Sequence, residues 1–167
     1  MKEAIRRLLH TIERVEMALA KLFLVVMIVV VGMQVFFRYV VNRPLAWPEE
    51  LSGFLLIWLT FLVADILVKR KGHVEVEYFF NKMSPKAQEI ATIIINAYII
   101  VFLIFLIVSS ITIETVQIHH LVGAALKIPK AMYTMAATVS GASMLLSMFL
   151  AEWEGIEHLR SLLKKDS

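Results

Sequence analysis

Four long apolar runs, at about 22–41, 51–68, 90–113 and 131–151, occupy most of this 167-residue chain. Each reaches or approaches the roughly 20 apolar residues that carry a helix at ~1.5 Å per residue across ~30 Å of hydrocarbon. A soluble domain would interrupt such runs with polar residues at helical or strand period, whereas these are apolar all round. The runs therefore predict an all-α integral membrane protein with four transmembrane helices. The tails and connectors are too short to build a second core, so the expectation is a single membrane domain over 1–167. Hydrophobic residues make up 59% of the chain, above the soluble average of about 45–50%.

Basic residues set the expected orientation. The chain has 17 Lys and Arg. If successive connectors alternate sides, thirteen fall on the face holding both termini and the 69–89 connector, and four on the other. All these segments are short, the regime in which excess positive charge marks the cytoplasmic side. Both termini are thus expected in the cytoplasm. The first run is longer than a secretory signal core of about 7–15 residues and has no small-residue cleavage site after it, so it reads as a retained helix.

Residues 2–21 carry Ile5, Leu8, Leu9, Ile12, Val15 and Leu19 at helical spacing, with Arg6, Arg7, Glu13 and Arg14 on other faces. The preferred reading is an amphipathic helix lying at the interface before the chain turns into the membrane. The other is a straight extension of the first span into water. A second interfacial helix is expected between spans two and three, where Val76, Phe79, Phe80 and Met83 keep helical spacing after His73. Ser84-Pro85 suits the start of the third helix, with serine as cap and proline in the first turn. Pro44 and Pro48 predict a short non-helical or re-entrant stretch around Trp47. Pro129 is expected to open the fourth helix, whose Ala136, Ala137, Ser140, Gly141, Ala142 and Ser143 permit close packing. A short charged tail, partly helical, follows over 152–167.

Charged groups near apolar spans need partners. Asp65, near the end of the second span, either pairs with Lys69 one turn on, contacts another subunit, or reaches water at the helix end. Arg38 either snorkels from the end of the first span or, like Arg43, pairs with Glu49 or Glu50 to pin the first connector. Glu49 and Glu50 also suit the positive end of the helix dipole. Phe54, Trp58 and Phe61 offer aromatic surface to lipid or to another membrane protein.

No nucleophile–base pair, metal-ligand spacing or glycine-rich phosphate loop is present, so an enzyme is not expected. The absence of cysteine excludes disulfides and thiolate metal sites. A net charge of only +3, placed by topology, gives no support to nucleic-acid binding. None of the five histidines (His10, His73, His119, His120, His158) lies within an apolar run, which weighs against haem ligation inside the helices. No run has a central carboxylate, which weighs against a stand-alone proton-coupled exporter.

The stretch Phe37-Arg38-Tyr39 … Asn42-Arg43-Pro44-Leu45-Ala46-Trp47-Pro48-Glu49-Glu50-Leu51 is followed by Trp58-Leu59-Thr60-Phe61-Leu62-Val63-Ala64 and then by His73-Val74-Glu75-Val76. This combination, with Leu126-Lys127-Ile128-Pro129 before the last helix, resembles the small membrane (Q, DctQ-type) subunit of tripartite ATP-independent periplasmic (TRAP) transporters. The resemblance implies a bacterial or archaeal inner-membrane scaffold subunit without cofactors of its own. Its partners would be membrane lipids, a large multi-span, elevator-type permease subunit carrying the sodium and substrate sites, and a periplasmic binding protein. That binding protein would deliver a small organic anion such as a dicarboxylate or sialic acid. On this reading Arg38, Arg43, Trp47, Glu49, Glu50, Trp58, Asp65 and His73 are candidates for partner or structural interfaces. The competing expectation is the membrane anchor of a haem- or quinone-linked redox complex.

Overall fold

The computed structural model describes residues 2–70, 85–117 and 119–165. The expected second interfacial helix, the serine cap before Pro85 and the candidate His73 all lie outside the described residues. Four helices dominate: α1 (Lys2–Tyr39), α2 (Trp47–Lys69), α3 (Pro85–Gln117) and α4 (Lys130–Lys165). Each contains a segment long and apolar enough to cross a membrane: Arg7–Tyr39, Trp47–Lys69, Ile90–Gln117 and Lys130–Glu157. All four expected spans therefore appear as helices, each longer than its apolar run.

The principal contacts run α1–α2, α2–α4 and α4–α3, so the helices form a row with α1 and α3 at its ends. Ile100 and Leu103 of α3 meet Met144 and Met148 of α4 in the buried core, with Ala64 and Val68 of α2 packed against them. Small residues bring α4 close to its neighbours. Ala136, Ala137 and Ser140 are buried, and a Cβ added at Gly141 would sit 3.1 Å from Ile107 Cγ1 on α3. The outer faces are apolar and open, including Ile28 and Val29 on α1 and Tyr98, Val101 and Phe105 on α3.

Two expectations about helix ends need correction. Residues 2–21 do not form a separate element that turns into the membrane, because α1 is unbroken through residues 21 and 22. Nothing before Gly32 interrupts helix formation, and the polar residues of this amphipathic stretch have a protein surface to meet, described below. Pro129 does not open the fourth helix. It ends a short strand, and α4 starts at Lys130.

The end of α1 follows from local chemistry. Asn42 takes φ +56°, and the chain so reversed lets the Arg43 N–H donate to the Phe37 carbonyl, six residues back, at 3.1 Å, which satisfies one of the carbonyls left open at the helix end. Asparagine tolerates the left-handed conformation better than most residues. Pro48 lies in the first turn of α2, where its missing N–H leaves no intrahelical bond unmade, so the stretch between the prolines is a short connector that leads into helix.

Candidate functional site: two polar clasps on one helix

Between α3 and α4 the chain makes a small antiparallel hairpin of β1 (Leu121–Val122) and β2 (Ile128–Pro129), with Leu121 opposite Pro129 and Val122 opposite Ile128. The Lys130 N–H closes it on the His120 carbonyl at 2.8 Å. Its tip is bent by two left-handed residues, Gly123 at φ +90° and Lys127 at φ +49°. Three successive N–H groups consequently point to one spot, and Glu50 from the first turn of α2 fills it. Its Oε1 accepts from Ala124 at 2.7 Å and Ala125 at 3.0 Å. Its Oε2 accepts from Leu126 at 2.7 Å and Ala125 at 3.2 Å. Convergent backbone amides of this kind form an anion-binding concavity, and a carboxylate, which only accepts, matches it. Gly123 is needed here twice. Its φ favours glycine, and any Cβ would overlap the Glu50 carboxylate, 2.6 Å from Cδ.

Aromatic contacts extend this clasp toward the membrane. The Phe54 ring meets Tyr133 of α4 edge-on, with centroids 5.1 Å apart. Trp58 lies against Phe54 and donates its indole N–H to the Met132 carbonyl at 3.1 Å. The hairpin is thus held to α2 by one carboxylate on three amides, and the first turns of α4 by the aromatic cluster and the Trp58 hydrogen bond.

The opposite end of α2 is tied to α1 by side chains. Lys69 Nζ bridges Glu16 Oε2 at 2.5 Å and Asp65 Oδ2 at 3.1 Å. All three are withdrawn from solvent: the side-chain exposures are 4% for Lys69, 9% for Glu16 and 0% for Asp65. One turn along α1, Glu13 Oε1 accepts from Arg70 Nε at 2.7 Å on a more open surface. Glu13 and Glu16 lie three residues apart on the α1 face turned to α2, which gives the amphipathic segment a protein surface to cover. A third polar contact joins the far pair of helices, where Thr138 Oγ1 donates to Glu114 Oε1 at 2.6 Å.

The candidate residues divide accordingly. Asp65 pairs with Lys69, one of the arrangements the sequence left open, and the water-exposed arrangement is excluded. Glu50 and Trp58 hold α2 to the hairpin and α4. The pairing of Arg38 or Arg43 with Glu49 or Glu50 is not made: Glu50 is taken by backbone amides, Arg38 lies 5.8 Å from the Tyr39 ring centroid, and Arg43 and Glu49 are exposed. Trp47 is half-buried at the start of α2. The partners Glu16, Glu13 and the hairpin amides were absent from the sequence candidates. Glu13 and Glu16 are detectable in the sequence as two acidic residues three apart on one helical face. The amides leave no side-chain signature apart from the glycine that bends them.

Among the described residues, no group of three His, Asp or Glu side chains is placed to hold a metal ion. The chemistry available is that of fixing helices, through backbone and side-chain ionic contacts at the two ends of α2.

Comparison with known proteins places this arrangement in context. Residues 27–158 match the family model described as tripartite ATP-independent periplasmic transporters, DctQ component. A protein of Haemophilus influenzae named as a TRAP transporter small permease is 32% identical over 96 residues, covering 58% of this chain and 60% of the relative. The sialic acid TRAP transporter small permease protein SiaQ of Vibrio cholerae is 26% identical over 84 residues, covering 50% of this chain and 47% of the relative. A 50-residue match, 28% identical, falls within the isethionate TRAP transporter permease protein DctMQ of Oleidesulfovibrio alaskensis and covers 30% of this chain and 8% of that protein. The chain thus spans about half to three-fifths of the length of the two small permeases it matches. These relatives are transporter components, and the redox-anchor expectation gains no support from them. Because the family model extends over most of the chain, from within α1 to the last turns of α4, the chain belongs to the DctQ family of TRAP transporter components.

Proposed function

We propose that this chain is the scaffold subunit of a sodium-coupled TRAP transporter in the cytoplasmic membrane. It braces a large elevator-type permease subunit and helps dock a periplasmic binding protein that delivers a small organic anion. The observation that carries this reading is the clamping of α2 at both ends. Glu50 locks one end to the hairpin and α4, and Lys69 locks the other to α1, while the outer faces of α1 and α3 stay apolar and open. A moving transport domain needs a counterpart that does not move, and a row of helices pinned at both ends resists sliding. The DctMQ relative, by its name, is a permease protein of an isethionate TRAP transporter, and SiaQ is named for sialic acid. Both solutes are organic anions, which supports that class here. The sodium and solute sites belong to the large subunit on this reading. With both termini cytoplasmic, the Glu50 hairpin and the exposed Glu49 face the periplasm, where the binding protein arrives.

The test is reconstitution of the permease with and without this chain, together with the binding protein and a sodium gradient. Solute uptake is expected to need both membrane chains, to copurify with their complex, and to stop when sodium is replaced by potassium. Full uptake by the large subunit alone would reject the bracing role.

A further inference from the structure

Along α1, the side chains of Arg7, His10, Thr11 and Arg14 line a groove of about 480 Å³. Their spacing of three, four and seven residues puts them on one helical face. Two acidic residues of the same segment are held by α2, Glu13 by Arg70 and Glu16 by Lys69. Neither Arg7 nor Arg14 has an ion-pair partner among the described residues, and both are exposed. Thr11 donates its hydroxyl to the Arg7 carbonyl at 2.9 Å, leaving its oxygen to accept.

We infer that this groove binds a phosphate group at the level of lipid headgroups. Two guanidinium forks with an imidazole between them present donors suited to phosphate oxygens, which arginine engages two at a time. The groove's neighbours point to a lipid as the source of that phosphate. At 3.6 residues per turn, the exposed Leu8, Val15, Leu19 and Leu22 form an apolar stripe beside the cationic face, and α1 then runs on into its apolar span. A phosphodiester in the groove would lay its acyl chains along that stripe. The α2 contacts occupy the third face of α1, so headgroup and helix packing do not compete. This inference rests on the membrane location of α1 and is independent of the bracing role.

The experiment uses the full-length chain, stripped of lipid in detergent, with bound lipid counted by native mass spectrometry during titration with phosphatidylglycerol. The double variant Arg7→Gln/Arg14→Gln is expected to bind about 30-fold more weakly, since each basic residue contributes about a decade or somewhat less at an anionic surface. Arg43→Gln/Lys130→Gln, which removes the same charge at the opposite end, should stay within about threefold of the parent. Circular dichroism checks that both variants keep their helices. Calorimetric titration with inorganic phosphate separates the sources. A phosphatidylglycerol response lost in Arg7→Gln/Arg14→Gln, without a response to inorganic phosphate, identifies lipid. A response to inorganic phosphate that the same variant abolishes keeps the phosphate site and makes free phosphate its ligand. Equal phosphatidylglycerol binding by parent and Arg7→Gln/Arg14→Gln with no phosphate response, or equal loss in both double variants, would overturn the inference.

Discussion

The two ends of α2 solve the same problem with different materials. At the hairpin end, one carboxylate is received by three backbone amides, so every donor is main chain and its aim depends on loop shape. At the other end, one ammonium is shared by two carboxylates, and all three partners are side chains withdrawn from solvent. The hairpin clasp is therefore sensitive to backbone geometry and the ionic clasp to charge balance. Substitutions at the two ends should fail for different reasons and by different amounts.

The largest effect is expected at Lys69. Replacing it with methionine keeps most of the volume but leaves Glu16 and Asp65 as buried carboxylates without a counter-charge, a change that typically destabilises by about 3–5 kcal/mol. Thermal unfolding of the detergent-purified chain should show it. The combined variant Lys69→Met/Glu16→Gln/Asp65→Asn should recover most of the loss, because it removes the charges along with their partner. If the triple variant is no more stable than the single one, charge balance is not what the cluster supplies.

Gly123→Ala should come next. It places a Cβ against the Glu50 carboxylate and holds an alanine at φ +90°, a backbone strain of about 1–3 kcal/mol before the lost contact is counted. Glu50→Gln should destabilise in the same direction by less. It keeps the backbone unstrained and one accepting oxygen, but turns an amide N–H₂ toward donors that need an acceptor. Amide hydrogen exchange at Ala124, Ala125 and Leu126 would report both variants, with faster exchange in each and the greater increase in Gly123→Ala. Unchanged exchange at these three amides in Glu50→Gln would show that the hairpin tip keeps its shape without the carboxylate.

How much of this was legible in the residues follows the same division. The four spans announce themselves by long apolar stretches, and Asp65 with Lys69 four positions on is a helical ion pair visible in one dimension. Glu50 was visible as a carboxylate beside arginines, which suggested side-chain pairing. Its real partners are amides 74–76 positions away, and backbone groups are the same in every sequence. The misreading of residues 2–21 has a related cause. Amphipathic spacing states that one face is polar and another apolar, without stating whether lipid or protein covers either. Here Glu13 and Glu16 are turned to α2, and the segment runs straight into the first span.

The smallest expected effect is at Arg70, and it sharpens the comparison because its geometry is nearly as good as that of Lys69. Arg70 Nε lies 2.7 Å from Glu13, but its side chain is 57% exposed. Water already solvates both charges in the open state, so the pair should contribute only about 0.2–1 kcal/mol. Arg70→Gln should accordingly lower stability slightly, and the difference from the parent should shrink as salt is raised, since ions screen exposed charges within about 10 Å at 0.1 M. Lys69→Met should keep nearly its full effect in the same salt series, because ions do not reach a buried cluster. Equal salt sensitivity in the two variants would mean that the Lys69 cluster is open to solvent, and the contrast between buried and exposed pairing at this end of α2 would fail.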